Sequence, residues 1–366
     1  MAEAALRDQR RSLAIAPHIG VHGSSVWATW TVAFALIPAT GWGIAVFGAA
    51  AALVLAVSVG AALVAEVLVT VPFGRFTLPD GSAFLSGLLI GLLMPAGVPL
   101  YVPAAASCFA MFVVKHSFGG LGRNWMNPAL GGGLFALLSW GDRMSTWAAP
   151  FGNPSAITPP LQALQRALSV RPQSGSALSI LSASGYPTSA VDASVVGWIN
   201  AHVFSPLGIP LPPGTFDVSI GLVPGSLGAI SAPLLILGGA ILFFRRVLRW
   251  ELSLSYFGVF AVLALTFGGL ASGRGWFAGA PAFNLFSGGV LLGGFFLVAD
   301  PVTSPLTRRG RWIYGVGLGA LTFLLRYFGA LGDGVVASIA LGNAFVPLLD
   351  KLTRRRAPAP VRESGP

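Results

Sequence analysis

Long apolar runs separated by short polar clusters define this chain. The pattern predicts helices over 26–40, 43–71, 81–95, 98–116, 127–140, 226–245, 252–272, 279–299, 312–329 and 334–349. Most of these runs are apolar all round, which suits a helix in a protein interior or a membrane. A bilayer-crossing helix needs about 20 apolar residues, so ten such runs read as an all-α polytopic membrane protein. Segments 81–95 and 127–140 are short and broken by glycine. Non-helical backbone at membrane depth survives only when buried in protein or lining a cavity. Short interrupted spans in paired positions point to a binding site between inverted repeats.

A pairing of this kind is visible. Leu85-Ser86-Gly87-Leu88-Leu89-Ile90-Gly91 ends at Pro95, and Phe286-Ser287-Gly288-Gly289-Val290-Leu291-Leu292-Gly293 ends at Asp300-Pro301. Each half holds five spans, and an odd number inverts the second copy. The other reading is that these small residues only allow close helix packing. The resulting organisation is an N-terminal segment 1–25, a first membrane half 26–140, an external loop 141–225, a second half 226–349 and a basic tail 350–366. The loop is rich in Ser, Pro and Gly, and Leu161 to Leu168 is its candidate amphipathic helix.

Composition strengthens the membrane reading. Only 9% of the 366 residues are charged, against about 25% in a soluble domain, and the mean hydropathy is +0.77. The single cysteine, Cys108, excludes an internal disulfide. It also excludes an iron–sulfur cluster held by this chain alone, which needs about four thiolates.

The net charge of +10 changes meaning in this setting. In a soluble protein it would suggest nucleic acid; here the basic residues cluster between apolar runs, so no nucleic-acid partner is expected. With both termini in the cytoplasm, 17 of the 22 Lys and Arg fall inside and 5 outside, as the positive-inside rule requires. Arg7, Arg10 and Arg11 precede a polar His/Gly/Ser stretch and not the apolar core of a signal peptide. Trp27, Trp140, Trp147, Trp250 and Trp312 lie near predicted span ends, where aromatic belts form.

Four segments carry a family resemblance. They are Asp80-Gly81-Ser82-Ala83 with Gly87-Leu88-Leu89; Lys115-His116-Ser117-Phe118-Gly119-Gly120-Leu121-Gly122-Arg123-Asn124-Trp125-Met126-Asn127-Pro128-Ala129; Pro224-Gly225-Ser226-Leu227-Gly228; and Ser287-Gly288-Gly289 followed by Ala299-Asp300-Pro301-Val302-Thr303-Ser304-Pro305. In this order, with Tyr314-Gly315 and Asn343, they resemble the RnfD/NqrB family, most closely its RnfD branch. These are membrane subunits of the Rnf ferredoxin:NAD oxidoreductase and of the sodium-pumping NADH:quinone reductase. The resemblance runs from about residue 20 to 350.

The resemblance implies ten helices in two inverted five-helix halves, a urea-transporter-like fold and flavin cofactors. It implies FMN attached by a transferase to the last Thr of a Ser/Thr-Gly-Ala-Thr motif in the external loop, and a second, non-covalent flavin such as riboflavin. Here Met144-Ser145-Thr146-Trp147 resembles the lead-in, and the aligned stretch is Ser155-Ala156-Ile157-Thr158. Ser155 and Thr158 match; Ala156, Ile157 and the upstream Gly152 depart from the pattern. Thr158 is therefore either the FMN phosphoester acceptor or a turn residue before Pro159-Pro160. A second departure is Ala229, where the family usually has Glu.

Few acidic groups lie near the membrane. Glu66 falls inside the second span, and a carboxylate there is costly and usually functional. It is a candidate for cation or proton handling, with a helix–helix hydrogen bond as the alternative. Asp80 opens the third span, as a cap or as part of the ion path. Asp300 ends the eighth, where the helix dipole disfavours it and a partner such as Arg308 or a cation is expected. Gly120 and Gly122, with Gly119, allow backbone to approach a ligand. Asn124 and Asn127 are candidates for a flavin edge, or for capping the fifth helix ahead of Pro128.

The expectation is thus the D-type subunit of an Rnf-like complex in a bacterial cytoplasmic membrane. Flavin would carry electrons, and Na⁺ or H⁺ movement would be coupled to them. No nicotinamide fingerprint, cluster ligand or metal site is visible, so other Rnf-like subunits must supply donor and acceptor. A non-redox channel or transporter, or a structural subunit, on the same scaffold is the alternative.

Overall fold

A computed structural model describes residues 25–120, 122–152, 188–205, 213–270, 275–277, 279–329 and 333–353. Among them the protein is all-helical, with no β-strand. It is a polytopic membrane protein by composition and architecture. Ser25–Phe47, Ala49–Phe73 and Val335–Thr353 are each long and apolar enough to cross a membrane. Ser82–Leu92, Pro128–Ser139, Ala232–Phe244 and Trp250–Thr266 are apolar but shorter.

The principal helices are α1 (Ser25–Phe47), α2 (Ala49–Thr70), α3 (Ser82–Leu92), α4 (Tyr101–Phe109, continuing as π-helix Ala110–His116) and α5 (Pro128–Ser139). After segment 141–225 come α6 (Ala232–Phe244), α7 (Trp250–Thr266), α8 (Pro281–Phe286, then Val290–Leu292 and π-helix Gly293–Leu297), α9 (Arg308–Phe328) and α10 (Val335–Thr353). Each predicted segment holds one of them, with shifted ends. The first break falls at Gly48, whose φ of +68 suits glycine, and not at 41–42. Helix α1 continues through Gly41 and Gly43 because Gly43 packs against the Leu227 carbonyl, where a Cβ would stand 3.0 Å away. Helix α9 begins earlier than expected, because Thr307 caps it by accepting a bond from Gly310 N.

The two groups of five pack in parallel ways. Helix α2 packs on α4 and α4 on α5; α7 packs on α9 and α9 on α10. The first helices of the groups, α1 and α6, contact each other, as do the fifth, α5 and α10.

Short α3 leaves carbonyls that need partners at its C-terminal end. They come from the segment just before α6. Gly228 N donates to Leu92 O at 2.7 Å and Leu227 N to Met94 O at 2.9 Å. This is the Pro-Gly-Ser-Leu-Gly motif, and it explains the final glycine: a Cβ on Gly228 would stand 2.8 Å from the Leu92 Cβ. Ala229 is buried beside this crossing. Between the two groups, helix Ala190–Ile199 and helix Thr215–Ile220 cap one another. Ser189 caps the first, and buried Asp192 accepts from Gly214 N and Phe216 N at the start of the second. Segment 161–168 lies outside the described residues.

A candidate cofactor cleft between the helix groups

A cavity of about 270 Å³ opens between the two groups. Pockets for drug-sized ligands span about 300–1,000 Å³, so there is room here for one ring system and not for a whole dinucleotide. Its apolar walls include Val32 of α1, Leu85 and Leu89 of α3, and Phe295 and Phe296 of α8. Its polar lining is Ser82, Ser86, Lys115, Asn124, Asn127 and Asp300. Lys115 and the two phenylalanines all come from π-helical stretches, which often mark functional sites.

Asn127 is both a cap and a bridge. Its Oδ1 accepts from Ala129 N at 2.9 Å at the start of α5, and its Nδ2 donates to Asp300 Oδ2 at 2.9 Å. Asp300 also accepts from Val302 N and Thr303 Oγ1. Burial pushes the Asp300 carboxyl up, against the lowering effect of those hydrogen bonds. The expected partner Arg308 is instead beside Glu251. Asn124 differs from Asn127: its Oδ1 is buried and accepts no hydrogen bond among the described residues. A buried acceptor without a donor is costly and suits a ligand N–H.

Glu66 is fully buried one layer behind the cleft. Its Oε2 faces Lys115 Nζ at 2.8 Å and His116 Nε2 at 2.7 Å, and its Oε1 accepts from Thr77 Oγ1. Lys115, itself 1% exposed, also donates to Ser82 Oγ at 2.7 Å. Ser82 Oγ in turn donates to Asp80 Oδ1, which accepts from Ser82 N as well. One hydrogen-bonded chain therefore joins Glu66, Lys115, Ser82 and Asp80, with Lys115 and Ser82 on the cleft wall. Asp80 also serves the helix start.

Gly122 lines the cavity, whereas Gly120 does not. Both hold positive φ, 85° and 91°, so their role within the chain is to form the tight turn after α4. Ser155 and Thr158 lie outside the described residues.

The second group contains a buried cation where the positive-inside count places an external one. Arg326, near the end of α9, is 1% exposed. It donates to Asn284 O and to Asp333 O. Lys115 and Arg326 thus sit at corresponding ends of the fourth helix in each group. An arginine inside the apolar run 312–329 is the signal for this in the sequence.

A family model described as the NQR2, RnfD, RnfE family matches residues 12–358. The chain belongs to that family. Among its relatives is the D-type subunit of the proton-translocating ferredoxin:NAD(+) oxidoreductase complex of Clostridium ljungdahlii, 33% identical over 97% of this chain and 98% of the relative. The D-type subunit of the ion-translocating oxidoreductase complex of Stutzerimonas stutzeri is 34% identical over 89% of this chain and 90% of its own. Its counterpart in the Na(+)-translocating ferredoxin:NAD(+) oxidoreductase complex of Acetobacterium woodii is 30% identical over 93% and 92%. In this NQR2, RnfD, RnfE family chain, all four resemblance segments converge on the cleft, the Gly228 crossing or the Arg326 network.

Proposed function

We propose that this chain is the D-type membrane subunit of an Rnf-type ion-translocating electron transport complex, seated in the bacterial cytoplasmic membrane with both termini inside. Ten helices in two inverted halves are the arrangement that best accounts for the parallel packing and for Lys115 and Arg326 in matching positions. The observation that carries the reading is the cleft, with the unpaired Asn124 Oδ1 between apolar walls.

The cleft residues suit a non-covalent flavin such as riboflavin. Asn124 Oδ1 would accept a ring N–H, Phe295 and Phe296 would pack on the ring, and Lys115 would favour negative charge. When bound, flavin supplies one- and two-electron transfer. A second flavin, FMN, would be esterified by a transferase to Thr158, with Ser155 completing the recognised stretch.

Lys115 divides its donors between Ser82 on the cleft wall and Glu66 behind it. With negative charge in the cleft, Lys115 would be drawn toward it and would hold Glu66 less firmly, so that Glu66 could take up a proton or Na⁺. Asp80 and Asp300 flank the same region and would continue the ion path. Relatives named for proton and for Na⁺ translocation both exist, and carboxylates serve either ion. Partner Rnf-like subunits would provide the electron donor and acceptor.

The test is to express the chain with its flavin transferase, then separate denatured protein on a gel. Flavin fluorescence lost in Thr158→Val supports covalent FMN; a dark wild-type band rejects it. Flavin released from the native protein, and lost in Asn124→Leu, tests the cleft separately.

A further inference from the structure

The described residues place a dense basic cluster at one end of the second group. Arg245, Arg246 and Arg249 lie on the turn between α6 and α7, Arg308, Arg309 and Arg311 at the start of α9, and Lys351 in the last turn of α10. Hydrogen bonds tie these parts together: Arg249 Nη1 to Pro305 O at 3.4 Å, and Leu306 N to Asp350 Oδ1 at 2.9 Å. Two carboxylates, Glu251 and Asp350, oppose these seven cations. Asp350 already serves a backbone amide. Glu251 is shared, with Arg308 Nε 3.4 Å from one oxygen and Arg311 Nη1 3.7 Å from the other.

Positive charge is therefore left over, and the local geometry shows where. Among the described residues, the Nε of Arg311 is buried with no hydrogen-bond partner. Burial and the neighbouring Arg311 guanidinium both push Arg249 below its ordinary range. Beside them, Trp250 and Trp312 meet edge to face with centroids 5.9 Å apart, and the Arg308 guanidinium lies 5.7 Å from the Trp250 ring centre. Beyond the tryptophans, Leu254 of α7 and Ile313 and Val316 of α9 are exposed.

Each part points to one ligand chemistry. Adjacent guanidiniums with an unused donor match the forked oxygens of a phosphate. Tryptophans favour the level of lipid headgroups, and aliphatic side chains below them offer a surface for acyl chains. We propose that this arginine–tryptophan cluster is a binding site for an anionic phospholipid, its phosphate held by Arg308 and Arg311. A free phosphate would use the guanidiniums but not the aromatic pair or the aliphatic surface. The site is separate from the cleft and does not depend on flavin there.

The experiment is native mass spectrometry of the full-length chain released from zwitterionic nanodiscs. Phosphatidylglycerol, phosphatidylcholine and inorganic phosphate are titrated in separate arms. The wild type should retain one phosphatidylglycerol with a preference of about tenfold over phosphatidylcholine, given the pull of a few basic groups on an anionic headgroup. R308Q/R311Q should lose that preference. R75Q/R123Q removes the same charge elsewhere and should keep it. Glu251→Gln should strengthen retention, because Glu251 competes with phosphate for the same guanidiniums. That gain cannot arise from a folding defect. The proposal fails if R308Q/R311Q keeps the preference, if R75Q/R123Q loses it equally, if Glu251→Gln gives no gain, or if inorganic phosphate occupies the site as well as the lipid does.

Discussion

Asn127 Nδ2 donates to Asp300 Oδ2 across 2.9 Å, and this bond joins the start of α5 to the end of α8 at the rim of the cleft. The two residues are 173 positions apart in sequence. Replacing Asn127 with Ala removes a helix cap, worth about 1 kcal/mol. It also takes a donor from a buried carboxylate, adding about 1–3 kcal/mol. Thermal unfolding in detergent should show a loss of that size. Asn127→Asp keeps the cap but sets two carboxylates together, so its loss should grow as pH rises; a pH-independent Asn127→Asp defect would reject the account.

Lys115→Met leaves Glu66 buried without its cation. Breaking a buried pair by removing one partner costs about 3–5 kcal/mol. The double variant Glu66→Gln with Lys115→Met should be more stable than Lys115→Met alone. Unfolding midpoints of the wild type and these two variants check this, and a double variant no better than Lys115→Met would show that the pair is not the cause.

Glu66→Gln alone tests the ion path. Ion uptake into vesicles by the reconstituted complex should fall severalfold while the protein still folds. Unchanged uptake would remove Glu66 from the path.

Gly228→Ala should destabilise by about 1–3 kcal/mol, the usual range for overpacking, because the new Cβ meets Leu92 and Leu292 within 2.9 Å. Gly225→Ala is the internal control. Its Cβ would have its nearest neighbour at an ordinary 3.6 Å, so its cost should stay below about 1 kcal/mol. Equal losses in the two variants would contradict the packing argument.

The clasp between helices Ala190–Ile199 and Thr215–Ile220 should respond to pH. Burial raises the Asp217 carboxyl above its ordinary range, against the lowering effect of its bonds from Ser189. A raised folded value means that protonation favours the folded clasp. Its contribution is complete below the usual carboxylate value of about 4 and is lost as pH rises through the higher folded value. Amide exchange over 188–205 and 213–220 should therefore quicken across that window, and Asp217→Asn should flatten the response.

Apolar runs alone locate every principal helix, because burial in lipid or protein requires them whatever the local detail. Their ends are less legible. Gly41 and Gly43 suggest a break, yet tertiary packing against Leu227 keeps α1 continuous to Phe47. Likewise Asn124, Asn127 and Asp300 stand out individually as polar groups in apolar surroundings. Their convergence on one cleft depends on how α5 meets α8, which no local pattern encodes. Glu66 is conspicuous as an acid within a span, but its partners Lys115 and His116 lie 49 and 50 residues away. The positive-inside count takes Arg326 for an external residue because position near a helix end resembles exposure, and the neighbours Asn284 and Asp333 reveal its burial.

The crossing of residues 227 and 228 beneath α3 also sets an order of assembly. As the chain is synthesised, the carbonyls of Leu92 and Met94 wait for amides more than 130 residues downstream. A fragment ending before them would leave two acceptors without these donors in a solvent that provides none. The first five helices, whatever symmetry they share with the last five, therefore gain these last backbone partners only when segment 141–225 has been made and the chain has turned back.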